Sequence, residues 1–409
     1  MSPADKLIDY DKALGTILSH VRKVGTRRVE LADARGAVLR EDVHADRDQP
    51  PFNRSAMDGF AVRSGQVAVD RLFTVAGAVA AGAPIAEYPD DPASVLRIAT
   101  GAAVPPGADA VIPIEQAQVE SGDRSERVRF LVESVEPGHN IHARASDAST
   151  GQRLVAAGTG LGANHLAAAA AVGATQLEVS AEPRVALLTS GDEVMAPQTP
   201  TAQLQPQQIR NSNGPLLAGL LNALGASPIM NEHVPDEPEQ TLDAAREAIG
   251  QSNLVITVGG VSVGQRDLLP WAWQRLGLEV VLHGVAIQPG KPLFVARDGN
   301  KLVLGLPGNP VSVLITAHLF VWPVIRAMLG QAADLPWLQV TLGNGVKAKR
   351  KRQVFRAARL NGQGIAEVIQ WHGSGDLVHT VDADGFVRLP LIDAEAQAGQ
   401  RVPFLPLIR

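Results

Sequence analysis

A chain of 409 residues, 45% hydrophobic and 19% charged, can fill several cores and divides, at roughly one domain per 100–200 residues, into two to four domains. Its net charge of −5 gives no whole-molecule basic field, so no nucleic-acid partner is expected. The absence of cysteine excludes disulfides, thiolate zinc sites, iron–sulfur clusters and a cysteine nucleophile.

The N-terminus has no basic start followed by an apolar core, and no apolar run is seen to approach the roughly 20 residues of a membrane helix. A cytoplasmic protein with no membrane partner is the expectation. Residues 4–22 place Leu7, Ile8, Leu14, Ile17, Leu18 and Val21 at helical spacing. From about 50 to 145 short β-prone runs alternate with Gly, Pro and Asp, which predicts a small, mostly antiparallel β unit. His139 and His142 lie in a Gly-rich part of it and read as solvated rather than metal-binding. LGANHLAAAAAVGA returns to helix, with Asn164 a candidate N-cap and Gly173 a candidate stop.

From about 181 strands and helices alternate: RVALLTS, NGPLLAGLLNALG, PIMNEHV, EPEQTLDAAREAIG, LVITVGG, strands near 280 and 302, and the long helix NPVSVLITAHLFVWPVIRAMLG. Continuously apolar strands alternating with helices predict a parallel sheet covered on both faces, whose ligands bind beyond the carboxyl ends of the strands. Short strands return after Gly330, with a basic cluster at 347–359. The fold class is therefore α/β plus β. A mainly helical N-terminal domain (1–50 with 145–180) precedes a β insertion domain (51–144), a doubly wound α/β domain (181–330) and a C-terminal β domain (331–409).

Three strand ends carry chemistry. TSGDEV brings Ser190, Gly191, Asp192 and Glu193; TVGGVSVGQRD brings Gly259, Gly260, Ser262, Val263, Gly264 and Asp267; LGLPGNPVS brings Pro307, Gly308, Asn309, Pro310 and Ser312. Glycines let backbone N–H groups approach a phosphate, and Asn309 as N-cap with Pro310 as first helical residue would aim free amides at an anion. Glu193, Asp236 and Asp267 beside such a phosphate are candidate ligands for Mg²⁺, although Asp236 reads equally well as a helix N-cap. The G-x-S-x-G within TVGGVSVGQRD also suits a hydrolase nucleophile at Ser262, but the double-Gly turn removes that serine from the strand end, and Asp267 follows too closely to be a triad acid.

PPFNRSAMDGFAVR (50–63), RIATGAAVPPGADAVIPIE (97–115), TSGDEV, GGVSVGQRD, PGKP (289–292) and GLPGNPVS, in that order, resemble the molybdopterin molybdenumtransferase family, MoeA and the gephyrin E domain. The resemblance implies a four-domain homodimer with an active cleft shared between subunits, and an α/β domain like that of the molybdopterin adenylyltransferases (MogA-like). It implies insertion of molybdate into adenylylated molybdopterin with release of AMP, Mg²⁺ as cofactor, and the adenylyltransferase and cofactor-accepting molybdoenzymes as further partners. It assigns catalytic positions to Asp267, Glu193, Asp58, Thr100 and Asp147, the last three from the N-terminal half, and an oxyanion-holding role to Lys291. Relatives have lysine where this chain has Gly284 and Gln288; the cluster of Lys347, Lys349, Arg350, Lys351 and Arg352 can restore positive charge to the cleft. Adenylyl transfer to molybdopterin and non-catalytic binding of it are the alternative functions.

Overall fold

The computed structural model describes residues 7–121, 126–260 and 268–408. Helix α1 (Tyr10–Ser19) begins where the Asp9 carboxylate accepts the Lys12 N–H at 2.9 Å, a side-chain N-cap. Its buried face, Tyr10, Ala13 and Ile17, joins the core of the α/β region, with Tyr10 edge-on to Phe320 and Phe355.

Six strands follow: β1 (Gly59–Val62), β2 (Leu72–Val79), β3 (Ser94–Ile98), β4 (Ala110–Pro113), β5 (Ala117–Ser121) and β6 (Glu126–Phe130). They form one sheet in the order β4-β1-β3-β2-β6-β5, antiparallel throughout except for the β2–β3 pair, closed over Phe60, Phe73 and Phe130. Helix α2 (Ala163–Ala171) stands beside an antiparallel ribbon of Thr26–Glu30 and Gln176–Ser180, so strand pairing orders this region together with helix. Gly162, not Asn164, occupies the N-cap of α2: the His165 ring accepts the Gly162 N–H at 3.0 Å, and the helix starts two residues earlier. Gly173 ends it with φ +77°, as a left-handed stop requires.

The central region comprises β7 (Val185–Ser190), α3 (Asn213–Ala223), β8 (Pro228–Val234), α4 (Pro238–Gln251), β9 (Leu254–Val258), α5 (Leu268–Arg275), β10 (Glu279–His283), β11 (Phe294–Asp298), β12 (Lys301–Leu306), α6 (Pro310–Thr316) and α7 (Trp322–Leu329). Its sheet runs β8-β7-β9-β12-β11-β10. Alternate residues feed opposite cores, Val185 and Leu187 to one face, Ala186 and Leu188 to the other, which is why these strands are apolar without interruption. The expected parallel sheet is parallel over β8, β7, β9 and β12; β11 alone runs against the others, pairing antiparallel with both β12 and β10. The cause is a hairpin whose two-residue turn, Gly299 at φ +55° and Asn300, joins paired Asp298 and Lys301.

A π-helical turn, Ala317–Val321, joins α6 to α7 just before Pro323, whose ring cannot accept an ordinary helical turn below it. Contrary to the sequence expectation, Pro310–Leu329 is long and apolar enough to cross a membrane, but 83% of its most apolar window is buried in the core. His318 and Arg326 interrupt the run in the sequence, and both faces pack, which accounts for the apolarity.

Beyond it β13 (Leu338–Leu342), β14 (Gln353–Leu360), β15 (Ile365–Val368), β16 (Gly385–Arg388) and β17 (Arg401–Pro406) close into a five-stranded barrel, β14-β15-β13-β17-β16 and back to β14. The two-residue strand Ile287–Gln288 pairs in parallel with Gln353 and Val354, tying the central region to the barrel.

Candidate active site

In the central sheet the chain leaves β7 toward β8 and then crosses to β9 on the other side, so the connections diverge between β7 and β9. Such a divergence opens a crevice at the carboxyl ends of the two strands. A cavity of about 540 Å³ lies there, bounded by Ser190, Gly191, Glu193, Asp236, Gly259 and Gly308 among others.

Glycine is required at positive-φ positions in two of these loops, and the third packs closely against them. A Cβ on Gly259, at φ +89°, would stand 2.9 Å from the Ser190 carbonyl oxygen, and one on Gly308 would come within 3.7 Å of the Gly259 Cα. A Cβ on Gly191, at φ +130°, would fall 2.9 Å from a Glu193 carboxylate oxygen. All three loops predicted to converge therefore do so. Ser262, Val263, Gly264 and Asp267 lie outside the described residues.

The anionic side of the crevice is made by Asp192, Glu193 and Asp236. The Asp236 N–H donates to Asp192 Oδ1 at 3.1 Å. Burial first, then the neighbouring charges of Asp192 and Glu193, holds the Asp236 carboxyl above its ordinary range. The N-cap reading of Asp236 is not met: α4 starts at Pro238 and Glu237 occupies the cap. Oxygen donors crowded until one resists ionisation suit a hard divalent cation.

The GNPVS turn differs from its expected form. Asn309 stands at the cap and Pro310 at the first helical position, but the Asn309 amide reaches outward to Ser374 Oγ at 2.9 Å instead of capping the helix. The Val311 N–H is taken by the Ser374 carbonyl and the Val313 N–H by the Asn309 carbonyl; Pro310 has none. The first turn therefore offers little more than the Ser312 amide to an anion.

Polar residues that sequence reasoning passed over complete the wall. Asn211 donates to Thr189 Oγ1 at 2.9 Å and accepts the Gly214 N–H, while Asn213 donates to the Gly308 carbonyl at 2.8 Å and so bridges α3 to the third loop. Asn213 Oδ1 is buried without a partner among the described residues. The signal was present in RNSNGP, polar residues crowded before an apolar helix.

A second cavity of about 420 Å³ adjoins the crevice, sharing Pro292, Pro307 and Asn309 with it. Lys291, Lys347, Lys349, Arg352 and Arg356 line it together with Gln288, Ser312 and Trp371. The Arg356 guanidinium lies 4.5 Å from the centre of the Trp371 ring. Position 284 is not part of this wall: Gly284 has φ +90°, and a Cβ there would stand 2.8 Å from Leu7 Cδ2. A lysine could not occupy that place in this chain without displacing Leu7. Gln288 does reach the cavity, with a buried Oε1 that lacks a partner among the described residues.

The N-terminal candidates are elsewhere. The Thr100 N–H donates to Asp58 Oδ1 at 2.7 Å, a bond that lowers the Asp58 carboxyl below its ordinary range. Asp58 lines a separate cavity with Gly59 and Arg97. The Asp147 N–H is held by the Gln49 carbonyl and its carboxylate accepts from Ser146. Among the described residues bounding the α/β crevice, none precedes Thr189.

Comparison with known proteins gives matches in three successive segments of the chain. Family models match residues 8–173 as "MoeA N-terminal region (domain I and II)", 186–327 as "Probable molybdopterin binding domain" and 339–407 as "MoeA C-terminal region (domain IV)". A molybdopterin molybdenumtransferase of Synechococcus elongatus is 34% identical, with 94% of this chain and 96% of that one aligned. One of Bacillus subtilis is 31% identical over 98% of this chain and 94% of its own. The crystal structure of a molybdopterin biosynthesis MoeA protein from Pyrococcus horikoshii OT3 superposes with a TM-score of 0.85 at 27% identity, covering 98% of this chain and all of that one.

Proposed function

This chain belongs to the MoeA family, the molybdopterin molybdenumtransferases of molybdenum cofactor biosynthesis, and on that premise we propose that it inserts molybdate into adenylylated molybdopterin, releasing AMP, in the cytoplasm. The observation that carries this reading is the junction of an acidic crevice at the β7/β9 switch point with a cationic cavity. One suits a phosphoanhydride whose charge a divalent cation would neutralise, the other an oxyanion.

In this reading the glycine-lined ends of β7, β9 and β12 admit the substrate phosphate close to the backbone, and Asn213 fixes the third loop against α3. Glu193, Asp236 and Asp267 would hold Mg²⁺. The ion, when bound, neutralises the charge of the phosphoanhydride. Lys291 with Lys347, Lys349 and Arg352 holds molybdate beside the dithiolene end of the substrate, so binding sets the two reactants side by side. Cleavage of the phosphoanhydride by water places one new oxygen on phosphorus and frees AMP.

Asp58, Thr100 and Asp147 serve a cleft completed by a second subunit; their separation from the crevice within one chain supports this. Molybdenum-accepting enzymes and the adenylyltransferase supplying the substrate are the further partners. The test is AMP release from adenylylated molybdopterin with and without molybdate. Molybdate-dependent release, abolished by Asp236→Asn, is expected; release that ignores molybdate, or tight substrate binding without release, overturns the reading.

A further inference from the structure

Outside both cavities, the loop between β15 and β16 gathers His372, Asp376 and His379. Asp376 Oδ2 accepts from the His372 N–H at 2.9 Å and stands 3.1 Å from its Nδ1; Asp376 Oδ1 accepts from the His379 N–H at 3.3 Å and stands 2.7 Å from its Nδ1. One carboxylate thus organises two imidazoles, one on each oxygen. Its side chain is 14% exposed, whereas those of His372 and His379 are 85% and 52% exposed, so the cluster is anchored at its base and open at its mouth.

We propose that His372, Asp376 and His379 form a binding site for a divalent transition metal of the zinc class, with water completing the coordination. One ligand atom from each of the three lies within 4.8 Å of the others. Donors around a tetrahedral ion with bonds of about 2.1 Å stand about 3.4 Å apart. The 2.7 and 3.1 Å contacts to Asp376 must therefore open slightly while any wider separation closes, a movement open to the exposed His372 ring. For each Nδ1 to ligate, the imidazole must carry its proton on Nε2, the ion taking the place of the Nδ1 contacts to Asp376. Two imidazoles with one carboxylate favour zinc, nickel or copper, whereas the all-oxygen set of the crevice favours magnesium. These ligands recur at i, i+4 and i+7 across a turn, and they sit in sequence on either side of Ser374, which holds Asn309 and Val311 at the edge of both cavities. A bound ion would clamp that segment.

The experiment uses full-length protein stripped with chelator and titrated with Zn²⁺ against a chromophoric competitor. Expected is one equivalent bound by wild type and by Asp236→Asn, and weakened on the order of 100-fold in the His372→Gln/His379→Gln double variant, shown to be folded by circular dichroism. Equal binding in the double variant overturns the proposal. X-ray absorption of wild type loaded with one equivalent gives a readout that needs no variant: two imidazole nitrogens in the zinc shell are expected, and an all-oxygen shell overturns it.

Discussion

Gly259 and Ser190 lock the ends of two neighbouring strands: a single methyl group at 259 would stand 2.9 Å from the Ser190 carbonyl oxygen and 3.1 Å from its hydroxyl. The backbone there is at φ +89°, which side chains rarely adopt. Gly259→Ala should cost about 1–3 kcal/mol of stability and push the loops apart. Denaturant unfolding together with AMP release checks it; wild-type values for both would show that the loops yield.

Asp236 is held above the usual carboxylate range, so its ionised form opposes folding at neutral pH and the opposition fades as pH falls through the folded value. Asp236→Asn should raise Tm at pH 7–8 without added metal, by an amount near the modest 0–1 kcal/mol typical of partly solvated charges, roughly 0.5 kcal/mol. The gain should shrink on acidification, and magnesium-dependent stabilisation should disappear. A variant less stable than wild type at pH 8 would mean that Asp236 has a partner that burial conceals.

Lys291, Lys347, Lys349 and Arg352 face one cavity. Removing one cation that hydrogen-bonds a bound oxyanion costs about 1.5–3 kcal/mol, on the order of 10- to 100-fold in half-saturating molybdate. Lys291→Ala should show this with little change in binding of adenylylated molybdopterin. An unchanged molybdate requirement at low salt would remove Lys291 from the oxyanion site.

The proposed sharing of the cleft between subunits predicts complementation. Asp58→Ala and Asp236→Asn should each be inactive alone, yet co-refolded in equal amounts they should regain about a quarter of wild-type activity, because half the dimers carry one intact cleft. Continued inactivity of verified mixed dimers would place both residues in the same chain's site.

His318, buried between α6 and the chain's C-terminal segment, has its imidazole lowered to about 4 by desolvation. Its Nδ1–H donates to the Leu314 carbonyl and its Nε2 accepts the Ile408 N–H. Since the unfolded imidazole takes a proton near pH 6.5 and the folded one only near 4, stability is complete above about pH 6.5 and falls by up to about 3 kcal/mol as pH drops to 4. His318→Gln should flatten that part of the Tm profile, a result that equal slopes would contradict.

The sequence made the β7 and β9 strands and their glycine-rich ends legible because strands buried on both faces are apolar without break, and three glycine turns in register are an uncommon combination. The Gly299–Asn300 hairpin escaped because DGN between two apolar runs was not weighed as a turn. Asn211 and Asn213 escaped because their role is to hold one loop against another, and no local pattern announces such a bridge. The pairing of Asp58 with the Thr100 amide depends on loops brought together by a sheet, not on sequence spacing. Gly284 was misread because its neighbour, Leu7, is distant in sequence. The pair His372 and His379 escaped because it meets only through Asp376, in a loop folded by contacts that no local sequence pattern announces.

The short parallel pairing of Ile287–Gln288 with Gln353 and Val354 makes the cationic wall depend on the docking of the barrel against the central region. The acidic crevice is lined by residues between Thr189 and Pro310, whereas Lys347, Lys349 and Arg352 reach the second cavity from the segment between β13 and β14, whose barrel is closed by Arg401–Pro406. On the proposed reading, a change that loosens the barrel from the central region would therefore weaken oxyanion capture before it disturbed the acidic crevice.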